Sequence, residues 1–306
     1  MPVALPPSIH VFIRDWLSSN NILLRGGAGN VLIDSGYHLH AGHTLQLLNS
    51  RFGLGAEPLS LLVNTHCHSD HIGGNAAIQA AYGCPIAIPV GEAEAIEPWN
   101  PGALWLDYAD QYAPQFSYDA LIEPGATHRW GDHEWKALAA PGHDMGALMF
   151  YNAQHRLLIT GDALWRNGFG FVLPPEIDPR CLPATRATLD LVAALDIAAI
   201  IPGHGEPFAE IDDALRRAYS RVESYEQDST RMARHMLKVM LMFTLLGRRR
   251  MRLSELSAYC ATVPVYADIS RRYLGLEAGP LADLLVRELE RAAAVRRDGE
   301  WLVPAT

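Results

Sequence analysis

The segment Thr65-His66-Cys67-His68-Ser69-Asp70-His71-Ile72-Gly73-Gly74 places four candidate metal ligands, His66, His68, Asp70 and His71, within six residues. It follows an apolar run, Leu59–Val63, that reads as a buried strand, and at a strand end the chain must turn. A tight loop there can aim imidazoles and carboxylates into one volume. Those are the ligand types that zinc takes in catalytic sites, where one position stays open to water. Three further segments set a single His or Asp beside glycine, just after an apolar run. They are Pro141-Gly142-His143-Asp144, Thr160-Gly161-Asp162-Ala163 and Pro202-Gly203-His204-Gly205.

The ordered series HxHxDH, lone His, lone Asp, lone His resembles the metallo-β-lactamase superfamily over about residues 8–210. The resemblance implies an α/β fold, a four-layer αββα sandwich with a two-metal site in the cleft between its sheets. It implies His66, His68 and His143 on the first metal, Asp70, His71 and His204 on the second, and Asp162 bridging both. The implied cofactors are two Zn2+ ions, with Fe or Mn accepted by the same ligands. The implied chemistry is a hydroxide shared between two cations attacking a carbonyl or phosphoryl centre, with Asp70 as the catalytic residue that orients it. Asp34 matches a position that buttresses the ligand loop in this family; an ordinary turn aspartate is an equal reading.

The resemblance also narrows the substrate. Thr160-Gly161-Asp162-Ala163-Leu164 is similar to the bridging-Asp segment of glyoxalase II–type thioesterases. Those enzymes continue with Gly-Cys-Gly and a basic residue, whereas this chain has Gly168-Phe169-Gly170-Phe171. An apolar Phe where a cation would meet a carboxylate argues against glutathione. Lactonases of the family place Tyr three residues past the bridging Asp; here that residue is Trp165. The expected activity is hydrolysis of an ester, thioester or lactone of a small-molecule substrate. The alternative is a nucleic-acid-associated metallo-phosphodiesterase or ribonuclease.

The elements that must position these residues are short. Asn21–Leu24 and Val31–Asp34 read as a hairpin around Arg25-Gly-Gly-Ala-Gly-Asn, and Leu59–Thr65, Pro85–Val90, Leu148–Tyr151, Leu157–Thr160 and Ala198–Pro202 as further strands. His43–Phe52 and Gly74–Tyr82 have helical periodicity. After Glu210 the pattern becomes helical, over Ile211–Asp228, Thr230–Leu246, Leu253–Cys260 and Pro280–Ala294. A hairpin signal follows at Asp298-Gly299. This predicts a catalytic domain over 1–210 and a small, mostly helical, winged-helix-like domain over 211–306. That layout is similar to the β-lactamase-like protein 2 group, some members of which cut RNA.

Other residues read more plainly. Cys67 lies between two ligands and, pointing away from them, reads as a non-ligand. His38, His40 and His43 read as surface or pocket-rim histidines, and His128 and His133, flanking a Trp130-Gly131-Asp132 turn, as exposed. Trp165, Phe169 and Phe171 suit either a substrate pocket or core. Arg248-Arg249-Arg250-Met251-Arg252 reads as a solvated helix end, with nucleic-acid binding the minor reading.

The chain has 306 residues, 49% of them hydrophobic and 19% charged, which excludes a disordered or collagen-like chain. Residues 210–306 hold 16 Lys+Arg and 14 Asp+Glu; subtraction from 25 and 34 leaves 9 and 20, a balance of −11, for residues 1–209. Such an acidic front part is a poor phosphate-binding surface. Four scattered cysteines, at 67, 84, 181 and 260, point to a reducing compartment. The start of the chain has no export-signal pattern, so a cytoplasmic location is expected. The longest apolar run, Met236–Leu246, is interrupted by Lys238 and is about half a membrane span, so no membrane partner is expected.

Overall fold

The computed structural model describes residues 3–305. Two sheets face each other. The first has six strands in chain order: β1 (Ile9–Phe12), β2 (Asn21–Leu24), β3 (Val31–Ile33), β4 (Leu61–Val63), β5 (Ile86–Pro89) and β6 (Ala120–Ile122). It is antiparallel through β3 and parallel from β3 to β6. The second has five: β7 (Thr127–Trp130), β8 (His133–Ala139), β9 (Leu148–Asn152), β10 (Leu157–Gly161) and β11 (Ala199–Pro202). Its β7–β10 are antiparallel, and β10 and β11 run parallel.

Strand periodicity separates the layers, because successive side chains point to opposite faces. Ile22, Leu24 and Ile33 of the first sheet meet Trp135, Phe150, Ile159 and Ile201 of the second in the inner core. Their neighbours Leu23 and Leu32 point outward, toward Leu48 of α1 (Ala41–Asn49) and Ile78 of α3 (Asn75–Tyr82), which follows the single turn α2 (Ser69–Ile72). The short helices α4 (Ala93–Ile96) and α5 (Leu106–Ala109) lie in the connection from β5 to β6. On the other side Met149, Leu158 and Ile200 pack in one cluster with α6 (Cys181–Ala194) and α7 (Ile211–Gln227). The result is the expected αββα order.

Beyond α7 come α8 (Ser229–Arg248), α9 (Leu256–Thr262), α10 (Pro264–Ile269) and α11 (Ala278–Arg291), with a small antiparallel sheet of β12 (Met251–Arg252), β14 (Trp301–Pro304) and β13 (Val295–Asp298). Asp228 caps α8 by accepting the Thr230 backbone N–H at 2.9 Å. The apolar cluster under α6 and α7 continues without a break through α8 to Leu302 of β14.

Several elements escape the sequence pattern. Strands β7 and β8 carry charged residues on their outer face, and α6 contains Pro183 and two threonines, Thr185 and Thr188. His133, expected to be exposed, is instead buried, with Nε2 at 2.7 Å from the Ser8 hydroxyl, because the alternation of β8 turns it inward together with Trp135.

Candidate metal centre

All seven predicted ligands converge at one end of the sandwich, from loops that follow β4, β8, β10 and β11 and from the short α2. They form two groups, His66, His68 and His143 in one and Asp70, His71, Asp162 and His204 in the other. Within each group the candidate ligand atoms lie within 4.8 Å of one another. His68 Nδ1 is 2.8 Å from His143 Nε2, and His204 Nε2 is 3.0 Å from Asp70 Oδ2. Asp162 divides its oxygens between the groups: Oδ1 is 3.3 Å from His71 Nε2 and 3.8 Å from His204 Nε2, while Oδ2 is 3.6 Å from His143 Nε2.

Glycine makes this approach feasible. A Cβ on Gly203 would stand 2.4 Å from Asp162 Oδ1, and one on Gly170 would stand 2.6 Å from His143 Nδ1. Asn20 holds the last ligand loop in place, its side-chain amide donating to the Pro202 and Gly205 carbonyls at 2.9 and 2.7 Å.

On His66, His71 and His143 the outward Nδ1 has a partner, whereas His204 Nδ1 is buried with none among the described residues. Asp34, at φ 58°, accepts the Thr65 backbone N–H (2.9 Å), the Thr65 hydroxyl (2.8 Å) and the His71 Nδ1 proton (2.8 Å). His143 Nδ1 donates to the Phe171 carbonyl. These bonds set the tautomer that leaves Nε2 as an electron-pair donor. Buried Nε2 of His66 and of His71 has no hydrogen-bond partner among the described residues. Unpartnered buried nitrogens facing carboxylates fit cation binding, because leaving them unsatisfied costs stability.

The charges agree at His66, His68 and Asp162. Burial, reinforced by His143, pushes His68 down to about 4, and burial with His71 and His68 holds His66 well below the usual histidine range. Burial opposes the charge of Asp162, but the nearby His204 and His71 outweigh it and keep the carboxyl well below its ordinary range. His71 goes the other way: burial opposes its charge, but Asp34, Asp162 and Asp70 outweigh burial and raise its pKa well above the usual histidine range, so a bound cation would displace that proton.

Three contributors were not singled out as functional by sequence reasoning. Asp144 Oδ2 lies 3.6 Å from His68 Nε2, the nitrogen turned away from His143. Trp16, 53% exposed, stacks on His204 at 5.5 Å between ring centroids. Glu92 is buried beside Asp144; burial and that neighbouring carboxylate raise its pKa well above the ordinary range. Adjacency to His143 was the one signal for Asp144; Trp16 and Glu92 carried none. Cys67 is buried and belongs to neither ligand group.

A cleft of about 800 Å³ opens over the centre, with His68, Asp70, His143, Asp162 and His204 on its wall. Trp165, Phe169 and Phe171 all line it, and the opposite wall is α8, with Val239, Met242, Phe243 and Leu246. The Trp165 indole N–H is spent on Asp162 Oδ1 at 3.2 Å.

Known proteins share this fold. Residues 14–204 match the Metallo-beta-lactamase superfamily, and the chain belongs to that family. It is similar to the hydroxyacylglutathione hydrolase of Bdellovibrio bacteriovorus, 29% identical over 112 residues, 37% of each chain. It is also similar to the acyl-coenzyme A thioesterase MBLAC2 of Gallus gallus, 25% identical over 214 residues, 64% of this chain and 76% of that one. The matches to the hydroxyacylglutathione hydrolases span little more than a third of those relatives' length. Among solved structures, a metallo-beta-lactamase family protein from Thermus thermophilus superposes with TM-score 0.55 at 20% identity, covering 98% of this chain and 100% of that one. Membership in a metallo-hydrolase superfamily with thioester-hydrolase relatives is therefore established.

Proposed function

We propose that the protein is a dinuclear metal hydrolase that cleaves a carbonyl ester, and a thioester by preference, whose acyl group lies in the apolar cleft. The observation that carries this reading is the division of Asp162 between the two ligand groups, one oxygen to each. His66, His68 and His143 would hold one cation, Asp70, His71 and His204 the other, and Asp162 both. Zinc is the expected metal, with iron or manganese compatible with the same donors. When bound, such a pair lowers the pKa of a water to about 7 and stabilises the oxyanion that develops during attack.

The chain's own residues do the rest. Asp70 accepts a hydrogen bond from the attacking water and orients it. Asp34, Asp144 and the Phe171 carbonyl hold imidazoles in place. Trp16 and Trp165 flank His204 and shield that side from solvent. The preference for an acyl substrate rests on the apolar α8 wall together with the thioesterase relative. In this reading residues 1–210 form the catalytic domain, and the winged-helix-like domain over 211–306 supplies the far wall of the cleft.

The basic segments that favoured nucleic acid are largely engaged within the chain. Arg248 pairs with Asp110, Arg252 with Glu300, Arg271 and Arg272 with Asp268, Arg296 with Asp298 and Arg297 with Glu290. Among the described residues, no helix is long and apolar enough to cross a membrane.

The test is a hydrolysis panel at pH 7.5 with metal-loaded wild type beside His68→Ala. It contains an acyl thioester, short and long acyl lactones, an activated carboxylic ester, a β-lactam and a phosphodiester. Turnover of the thioester or ester by wild type, lost by at least about a thousandfold in the variant and on chelation, is expected. Turnover of the phosphodiester alone would replace this reading with the nuclease one. Metal analysis of the purified protein identifies the ions.

A further inference from the structure

A second cavity, of about 640 Å³, lies behind the cleft and shares Asn167, Arg221 and His235 with it. Its wall is one face of α7, where Arg217, Arg221 and Ser224 recur at i, i+4 and i+7, with Arg216 and Ser220 alongside. Arg216 is paired with Asp213. Arg217 and Arg221 have no carboxylate partner among the described residues. Arg217 Nε donates to the Arg166 carbonyl at 3.0 Å, and Arg221 Nη2 donates to the Asn167 carbonyl at 2.9 Å. A guanidinium carries five N–H donors, so most of the donors on each remain free.

Arg221 is also held in place. Its guanidinium lies 5.5 Å from the centre of the Phe169 ring and presses on Gly168, where a Cβ would stand 2.3 Å from Nη1. Two uncompensated guanidiniums fixed on a loop that also borders the metal centre form a preorganised anion receptor. The paired arginines elsewhere in the C-terminal segment show that this chain can supply carboxylate partners.

We propose that Arg217 and Arg221, with the Ser220 and Ser224 hydroxyls, receive the phosphorylated head group of the molecule whose acyl bond is cleaved at the metal centre. The site would take a phosphate or pyrophosphate carried on a flexible thiol arm. A carboxylate brings one negative charge to two guanidiniums, whereas a phosphate monoester brings close to two charges and three acceptor oxygens. The proposal rests on the hydrolase reading for its substrate, and on the arginine cluster alone for its anion.

Two measurements separate those parts. Isothermal titration of inorganic pyrophosphate into the metal-loaded protein should show binding that weakens at least tenfold in Arg217→Ala/Arg221→Ala. Equal affinity in both proteins, or no binding by wild type, would overturn the receptor. Single Arg217→Ala, at an exposed side chain, serves if the double variant does not fold, and Arg217→Lys should recover only part of the affinity. The second measurement compares kcat/KM for an acyl coenzyme A thioester with that for the same acyl group on N-acetylcysteamine. The ratio should exceed ten in wild type and fall toward one in the arginine variant. A ratio near one in wild type, or one unchanged by the variant, overturns the proposal. If neither thioester is cleaved while the pyrophosphate difference persists, the receptor stands and the thioesterase reading falls. Single-stranded oligoribonucleotide bound more tightly than pyrophosphate, and lost in the variant, would assign the arginines to nucleic acid and overturn the small-molecule proposal.

Discussion

Asp34 Oδ2 accepts the Nδ1 proton of His71 at 2.8 Å, and both side chains are sealed from solvent. The same carboxylate holds the backbone and the hydroxyl of Thr65, the residue before the first ligand. One aspartate thus sets both the start of the His66–His71 loop and the tautomer of a candidate ligand within it.

Asp34→Asn tests that coupling. Asparagine tolerates the positive φ and can still accept the Thr65 N–H, but it turns an amide N–H₂ toward His71. His71 would then carry its proton on Nε2, where a lone pair is needed. We expect metal affinity to fall about 10–100-fold, read by chelator competition, with activity restored in part by excess metal. Unchanged affinity would show that Asp34 has no hold on the site.

Gly170→Ala alters no ligand. Its Cβ would meet the His143 ring at 2.6 Å, so the imidazole must move off the Phe171 carbonyl. The expected result is a loss of metal affinity of about tenfold with a near-native circular dichroism spectrum. Gly279→Ala, with its nearest neighbour at 3.6 Å, is the control and should bind metal as wild type does.

His235 predicts a pH dependence of stability that is separate from the metals. Burial, aided by Arg221 and Lys238, pushes its pKa down to about 4. The folded pKa lies below the unfolded value of 6.5, so the unfolded state takes up the proton first. Stability is complete above about pH 6.5 and is lost as pH falls toward 4. At pH 5 the loss is about 1–2 kcal/mol. His235→Gln should remove this part of the acid-side slope in denaturant melts at pH 7 and pH 5; parallel slopes in the two proteins would refute the assignment.

Met242→Trp narrows the cleft wall on α8. For an acyl substrate, each methylene buried there is worth about 0.8 kcal/mol. KM for an octanoyl thioester should therefore rise about tenfold or more, while an acetyl thioester is affected far less. Equal effects on the two chain lengths would place the acyl group elsewhere.

The sequence by itself determined which residues are candidates for the chemistry. Seven candidate ligands stand in short, glycine-flanked segments, and all but His143 follow a run that reads as a strand. The pattern is local, so His66, His68, Asp70, His71, His143, Asp162 and His204 could be picked out one segment at a time. The hairpin of Asn21–Leu24 and Val31–Asp34 was also legible, as two short apolar runs around a glycine-rich turn. The edge strand β7 and its neighbour β8 carry polar residues on one face and a histidine on the other, and the burial of His133 was hidden for that reason.

Only the tertiary structure decided how those segments face one another. Asp34 meets His71 across 37 positions, Trp16 stacks on His204, and Arg221 of α7 presses on Gly168 beside the metal loop. No local rule brings these partners together. Their contacts depend on two sheets packing face to face, with α7 and α8 closing over one edge of the sandwich. The lining of the cleft, and with it the choice of substrate, is set by that long-range packing, because the residues concerned are ordinary core formers or surface arginines when read along the chain.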